Sequence, residues 1–496
     1  MNGTEARTIA APDLLEMCAA HMRAGGRMQM AYVWFPQAGA TPEIRYLASQ
    51  GANQPFALWC CRPQPGEALP SLAKISPLLG WYEREITELG GVHFDGHPEP
   101  FPLVLHEGAR STLPPLDPRY PADQPVEFEA APWRIPELGG KDVQLLPFGP
   151  VRADVLESAQ FLFFYIGEGI IHYYPRLFFK HRGMERRFQG LCPKLGTVLA
   201  ERVSGVGSVA HALAYCQALE AAASCQIPER ARWLRVLLAE LERLYNHLHY
   251  LGYLCHTTTL KVGEAEGRLL EERAKQLNAK LTGSRLLRGI IEPGGLRRDL
   301  DSAGLSDALE ALRREFADYT ARLERTDSHL DRLISTGVLT RKVAVDQGAT
   351  GPIERASGLD RDLRRDHPYA AYAELPMTVA LREAGDACAR MQVRIAEIET
   401  SFALMQRVLL LLPAGPVRTD CHPIAASEGL GWSESPRGSL YYAVHLDQNG
   451  KLARVKIKSP SFSNWRAFPF TVHDSNMMDY AINEASFGLT TAGCDR

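Results

Sequence analysis

Between residues 229 and 412 the chain carries four long runs with apolar residues at helical spacing, and this constrains its fold more than any other feature. In 229–260, Trp233, Val236, Leu237, Leu241, Leu244 and Leu248 recur close to a 3.6-residue period, which makes one continuous apolar stripe. Similar patterns occupy 267–291, 306–335 and 374–412, and the last, ending at 408–412, reads as apolar nearly all round. Helices with such stripes must bury them against one another, so a mainly helical domain is expected from about residue 151 to 496, with the 374–412 helix in the middle of a bundle. A β-hairpin is expected at 438–458, with Asn449-Gly450 at its turn.

The N-terminal part reads differently. Residues 12–22 are amphipathic, three β-rich runs follow at 28–35, 43–48 and 56–62, and a second helical run covers 71–89. Short connections favour an antiparallel sheet, so 1–97 is expected to be a small α+β domain. In 98–150 twelve of the chain's 33 prolines remove backbone donors, which predicts an extended linker leading into the core. The fold class expected is therefore α+β, a small antiparallel-sheet domain followed by a large helical one.

Composition excludes some functions. A net charge of −3 supplies no basic field for nucleic acid. The alternating Asp and Arg of 360–366 suit ion pairing, or a charge lattice facing a partner, better than phosphate binding. No window approaches the ~18 apolar residues of a transmembrane helix, so work at a membrane would depend on partner subunits. Ten cysteines without disulfide-like spacing suit a reducing cytoplasm.

Two short segments carry the chemical information. The first is Glu201-Arg202-Val203-Ser204-Gly205-Val206-Gly207-Ser208, leading into the helical run His211–Gln217; the second is the C-terminus, Gly488-Leu489-Thr490-Thr491-Ala492-Gly493-Cys494-Asp495-Arg496. Here the chain resembles the large subunits of membrane-bound, energy-converting nickel–iron hydrogenases of the hydrogenase-4 and formate-hydrogenlyase type, which share ancestry with a core subunit of respiratory complex I. In that family each segment carries a Cys-x-x-Cys pair, and the soft thiolates hold nickel and bridge to iron. The matching positions here are Ser204, Gly207, Thr490 and Gly493. None supplies a thiolate, so the resemblance implies a degenerate site with no metal in this chain, and hydrogenase activity is not expected. Cys494 stands one residue past a lost ligand and reads as incidental.

The surrounding motifs persist. Tyr174-Pro175-Arg176 through Arg182-Gly183-Met184-Glu185 resembles the family's entry motif. The resemblance makes Glu185 a candidate proton relay, with the raised pKa of a carboxylate in an apolar bundle; the alternative is an ion pair with Arg182 or another buried arginine. Glu434-Ser435-Pro436-Arg437-Gly438 resembles the segment whose arginine overhangs the metals, which makes Arg437 the second candidate. Helix 240–248 and the loop 351–368 also follow the family. Trp81–Pro98 resembles the end of the small peripheral 30 kDa subunit of complex I, and fusion of that domain to the large subunit is a habit of this group. Phe148-Gly149-Pro150-Val151-Arg152 matches the strand where complex I seats a quinone, with Arg152 in place of the expected histidine.

The resemblance implies a peripheral-arm subunit on the cytoplasmic face of the plasma membrane. Electrons would come from an iron–sulfur small subunit, and membrane-embedded subunits would translocate ions. A quinone is a candidate for the vacated cavity. The alternative is a non-catalytic coupling subunit that keeps the fold. Other signals carry nothing: His247 and His249 fall on different helix faces, Cys60-Cys61 and Cys421-His422 lack partners at ligand spacing, and no nucleotide-binding glycine motif is present.

Overall fold

The computed structural model describes residues 4–121, 123–133, 135, 137–152 and 157–496. The three β-rich runs form strands Arg27–Trp34, Glu43–Ser49 and Phe56–Cys61, paired antiparallel in sequence order. A fourth strand, Thr4–Thr8, joins the edge in parallel with Phe56–Cys61. Its sequence has no apolar alternation, so nothing in the pattern announces it. Helix Leu14–Arg23 precedes the sheet proper, and helix Leu79–Gly90 packs on Arg27–Trp34. The expected helix over 71–89 is shorter than its pattern, because Pro77 interrupts the donor ladder and the chain turns until Leu79.

The core begins with strands Gln144–Phe148, Gln160–Ile166 and Gly169–Arg176, which form an antiparallel sheet completed by Ser475–Asn476. The long helices are Glu229–Thr257, Lys261–Thr282, Leu305–Leu323 and Ala387–Leu411. The pattern at 306–335 divides, since a turn separates Leu305–Leu323 from Asp327–Leu333. Helix Ala387–Leu411 starts well inside the run expected from residue 374. Asp386 caps it by accepting from the Ala389 amide (2.7 Å), a contribution of about 1 kcal/mol. Its body lies within the bundle, packed on Glu229–Thr257 and Leu305–Leu323 with Met391, Ile398, Phe402 and Met405 buried, and only its last turn leaves it. Leu410 is 74% exposed and Leu411 42%, because the last turn runs past the elements that cover its earlier residues.

The expected hairpin is the second half of a three-stranded sheet, Glu428–Ser435, Gly438–Leu446 and Leu452–Lys458. Its first strand lies directly on helix Ser208–Ala222. A Cβ at Gly431 would stand 2.0 Å from the Ala214 carbonyl and one at Gly429 2.0 Å from the Ala218 carbonyl, while Ser433 donates its hydroxyl to the Ala210 carbonyl (3.0 Å). Two strand residues advance about 6.6 Å and four helix residues about 6 Å, so the small residues at 429, 431 and 433 step in register with 218, 214 and 210. This packing fixes the helix that leads out of the first motif segment. One apolar core runs through both parts of the molecule, and Phe56 of the N-terminal sheet stacks on His367 (4.3 Å) and meets Trp432 edge-on.

Candidate active site

The two motif segments meet. Helix Pro193–Val203 ends at Ser204, which is extended, and Gly207 caps helix Ser208–Ala222 after its amide donates to the Ser204 carbonyl (3.0 Å). Thr490 caps the terminal helix Thr491–Asp495 by accepting from the Gly493 amide (3.2 Å). A Cβ on Gly493 would stand 2.6 Å from Thr490 Oγ1 and 3.6 Å from Ser204 Oγ, so these positions face one another in a buried cradle. Arg182 ties the segments together. Its guanidinium donates to the carbonyls of Arg202 (3.0 Å), Val203 (2.7 Å) and Ala492 (3.0 Å). From the opposite side Glu242 receives the amides of Val209 (2.6 Å) and Ala210 (2.9 Å), while burial pushes its carboxyl up to about 7.

The donors in this cradle do not fit a nickel–iron pair. Two positions offer hydroxyls and two offer no side-chain donor at all, and hard neutral oxygens bind such soft metals poorly. The Thr490 hydroxyl has other work, as a helix cap 3.3 Å from Ser461 Oγ, and Ser459 donates to the Gly493 carbonyl (2.5 Å). Cys494 is fully buried, and burial keeps its thiol protonated well above the usual range, the opposite of a metal-bound thiolate. Among the described residues no group of three or more His, Cys, Asp or Glu is arranged to hold a metal ion.

Glu185 lies beside the cradle, and its electrostatics differ from the expectation of a raised pKa. Burial alone would raise it, but Lys456, Arg454 and Arg496 together hold the carboxyl well below the usual range. Arg454 donates to Oε2 (2.7 Å), and Arg496 (3.0 Å) and the Ile457 amide (3.1 Å) donate to Oε1. Lys456 approaches Oε1 at 3.2 Å and bridges to Glu85 at 2.7 Å, which Arg496 also contacts. Arg182 plays no part in this cluster. Glu185 is thus a fixed anion that joins the core, the third sheet, the terminal segment and, through Glu85, the helix Leu79–Gly90.

Arg437 sits at the tip of the two-residue turn between Ser435 and Gly438. It donates to the Gly488 carbonyl (2.8 Å) and to Asn246 Oδ1 (2.8 Å), and Asn246 in turn donates to the Val206 carbonyl (2.8 Å). The arginine therefore spans the two motif segments. It lines a cavity of about 130 Å³ together with Arg394, His247, Tyr250, Trp465 and Gly488. Burial lowers the pKa values of both arginines from the ordinary guanidinium range. The Trp465 ring lines the cavity, while its Nε1 is buried away from it without a hydrogen-bond partner. His247, pushed down to about 4 by burial, pairs with Glu397 (2.9 Å), whereas His249 pairs with Glu271 (3.0 Å) on another face.

Comparison with known proteins places this geometry. Residues 268–430 and 418–496 match the family described as respiratory-chain NADH dehydrogenase, 49 Kd subunit; 11–126 match the 30 Kd subunit, and 182–268 match nickel-dependent hydrogenase. Formate hydrogenlyase subunit 5 of Escherichia coli (strain K12) is 33% identical over 423 residues, covering 83% of this chain and 74% of that protein. The chain belongs to this hydrogenase and complex I large-subunit family. The C/D subunit of NADH-quinone oxidoreductase from Rhodopseudomonas palustris (strain BisB18) is 27% identical over 518 residues, 93% of this chain and 87% of that one, so the match runs through both parts of the molecule. A solved structure of the membrane-bound sulfane sulfur reductase, an archaeal respiratory membrane complex, superposes with a TM-score of 0.68 at 26% identity, over 72% of this chain and 99% of that one.

Within the family's frame, sequence reasoning singled out Glu185, Arg437 and the four ligand positions, and the structure brings all of them to one region. Arg182, Glu242, Arg394, Asn246 and Trp465 were missed as site residues. Asn246 lies in a motif already noted, but no local signal marks Arg394 or Trp465, because only the fold carries them to the cavity. Arg152 does not reach out as a headgroup ligand would. It forms a two-pronged pair with Glu484 (3.0 and 2.9 Å) and lies over the Phe148 and Phe161 rings. The charged loop 360–366 is more buried than a solvated surface would be: Asp362 and Arg364 pair inside the protein (2.7 Å), and Arg364 reaches Glu240 (3.2 Å).

Proposed function

We propose that this chain is the peripheral-arm subunit in which a membrane-attached, complex-I-like assembly couples electron transfer to ion translocation, with no nickel–iron centre of the conventional kind. The supporting observation is the pairing of a cradle without soft donors with an intact cavity beside it, walled by Arg394, Arg437 and the Trp465 ring. Two guanidinium groups suit an acceptor that gains negative charge on reduction, such as a quinone. Electrons would arrive from an iron–sulfur cluster on a small partner subunit, and this chain would hold no cofactor of its own. No helix among the described residues is long and apolar enough to cross a membrane. Attachment to the inner face of the plasma membrane would then come through membrane-embedded, ion-translocating partners.

A second reading, a non-catalytic coupling subunit, draws on the same region. Arg437 already spends its donors on Gly488 and Asn246, and Glu185 is locked by three cations, so both can act as struts. The intact complex, reduced anaerobically and titrated with a soluble quinone, separates the two. The catalytic reading expects saturable turnover and a several-fold rise in KM on Arg437→Lys, with kcat changed less. Absence of turnover with quinones and other acceptors, while ion transport persists, would favour the coupling reading.

A further inference from the structure

The fold brings together two cysteines that are distant in sequence, at the end of helix Ser208–Ala222 opposite the cradle. Cys225 follows that helix, and its amide donates to the Glu220 carbonyl (2.8 Å). Cys421 ends a segment that lies along the short hairpin of Ile291–Glu292 and Gly295–Leu296. There the Leu296 amide donates to the Val417 carbonyl (2.9 Å) and the Thr419 amide to the Gly294 carbonyl (2.9 Å). The buried pair of Arg235 and Glu220 locks this hairpin to the helix. Glu220 accepts from the Gly294 amide (2.9 Å), and Arg235 donates to Glu220 (2.6 Å) and to the carbonyls of Glu292 (3.0 Å) and Gly295 (3.1 Å). One frame therefore holds both cysteines.

The two thiols hydrogen-bond to each other, and Cys225 Sγ also lies 4.0 Å from the carbonyl of Asp420, the residue before Cys421. Both are free and half-buried, so reagents can reach them. Sulfurs already in contact need only close to the about 2 Å of a disulfide bond. Burial pushes both thiols up, Cys421 to about 12, and their mutual hydrogen bond lowers Cys225 while it raises Cys421 further. Cys225 is thus the first of the two to ionise, and the thiolate is the nucleophile. The exposed Cys192 shares a cavity of about 200 Å³ with Cys421 and is the thiol that would compete for it.

We propose that Cys225 and Cys421 form a dithiol site that exchanges with low-molecular-weight disulfides and closes a reversible bond between them. The Cys225 thiolate attacks one sulfur of the small disulfide, forms a mixed disulfide and releases a thiolate, which takes up the proton Cys225 gave up. Cys421 then loses its proton and attacks Cys225 Sγ. The Cys225–Cys421 bond forms, the mixed bond breaks, and the second small thiol leaves with that proton. Two electrons pass from the pair to the small disulfide, which departs as two thiols. The bond ties 412–427, the connection between helix Ala387–Leu411 and strand Glu428–Ser435, to the end of helix Ser208–Ala222. In a reducing compartment such a bond is transient and reports the redox state. The assignment is independent of the electron-transfer reading above, since it needs neither the cradle nor the cavity at Arg437.

The test equilibrates the full chain, free of oxygen, in mixtures of reduced and oxidised glutathione, quenches with an alkylating reagent and reads the peptides by mass spectrometry. Cys225 and Cys421 should lose their free thiols together, as one cross-link. Its yield should follow the ratio of oxidised glutathione to the square of the reduced form, because two glutathione thiols leave for each bond closed. Cys421→Ser should stop at a single glutathione adduct on Cys225, with a first-power dependence on reduced glutathione. Full alkylation of both cysteines at every ratio, separate adducts without a cross-link, or a cross-link from Cys421 to Cys192 would overturn the assignment. Should Cys421→Ser fail to fold, the cross-link and its squared dependence in the unaltered chain still decide it.

Discussion

Two neighbouring regions of the core differ sharply in charge. The cradle of Ser204, Gly207, Thr490 and Gly493 is neutral, and its Thr490 hydroxyl serves as a helix cap and meets Ser461. A few residues along the same terminal segment, Arg496 enters a buried cluster of two carboxylates and three cations around Glu185. No cysteine stands at the four cradle positions, and an ionic frame holds the segments in place. The difference teaches what positions this site: ion pairs and backbone hydrogen bonds to Arg182, Glu242 and Glu185.

The comparison can be broken from either side. Restoring all four thiols by Ser204→Cys, Gly207→Cys, Thr490→Cys and Gly493→Cys should create a soft-metal site, read as a thiolate charge-transfer band on adding cobalt(II), with affinity tighter than about 1 μM. The unaltered chain should show no such band. A quadruple variant that folds but binds no cobalt would mean that the cradle has closed and not merely lost its sulfur.

On the ionic side, Glu185→Gln leaves three buried cations with one carboxylate and should cost about 3–5 kcal/mol, measured by chemical denaturation of the intact complex. The pH dependence has a definite sign. Because Glu185 is held below its ordinary value, its contribution is complete above about pH 4.3 and is lost as pH falls further, so the Gln variant should lose less stability on acidification. Should Glu185→Gln be neutral and activity fall instead, a proton-relay role would regain support.

Arg182→Met removes three hydrogen bonds to partly exposed carbonyls of the two segments and should cost about 1–3 kcal/mol, with faster hydrogen exchange confined to 202–207 and 490–496. Thr490→Ala should cost about 1 kcal/mol as a lost cap, visible as fraying of the terminal helix. If Thr490→Ala costs as much as Glu185→Gln, the cradle is as structural as the cluster and the contrast fails.

Much of this contrast was legible in the sequence. Helical periodicity exposed the long helices, and the two short segments showed at once that four donor positions lack sulfur. The state of Glu185 was not legible, because its cations come from Arg454, Lys456 and Arg496, distant in sequence and brought together by the third sheet and the terminal segment. Local pattern also placed the whole run 374–412 inside the bundle, whereas its last turn, at Leu410 and Leu411, leaves it, which apolar composition cannot reveal. In the loop 360–366, alternation of sign revealed pairing but not that Arg364 turns inward while Arg361 is left without a close carboxylate.

Metal content of the purified complex, measured together with hydrogen evolution under reducing conditions, tests the central claim most directly. The account predicts iron attributable to partner clusters, no stoichiometric nickel and no hydrogen. One nickel per chain accompanied by hydrogen evolution would contradict it.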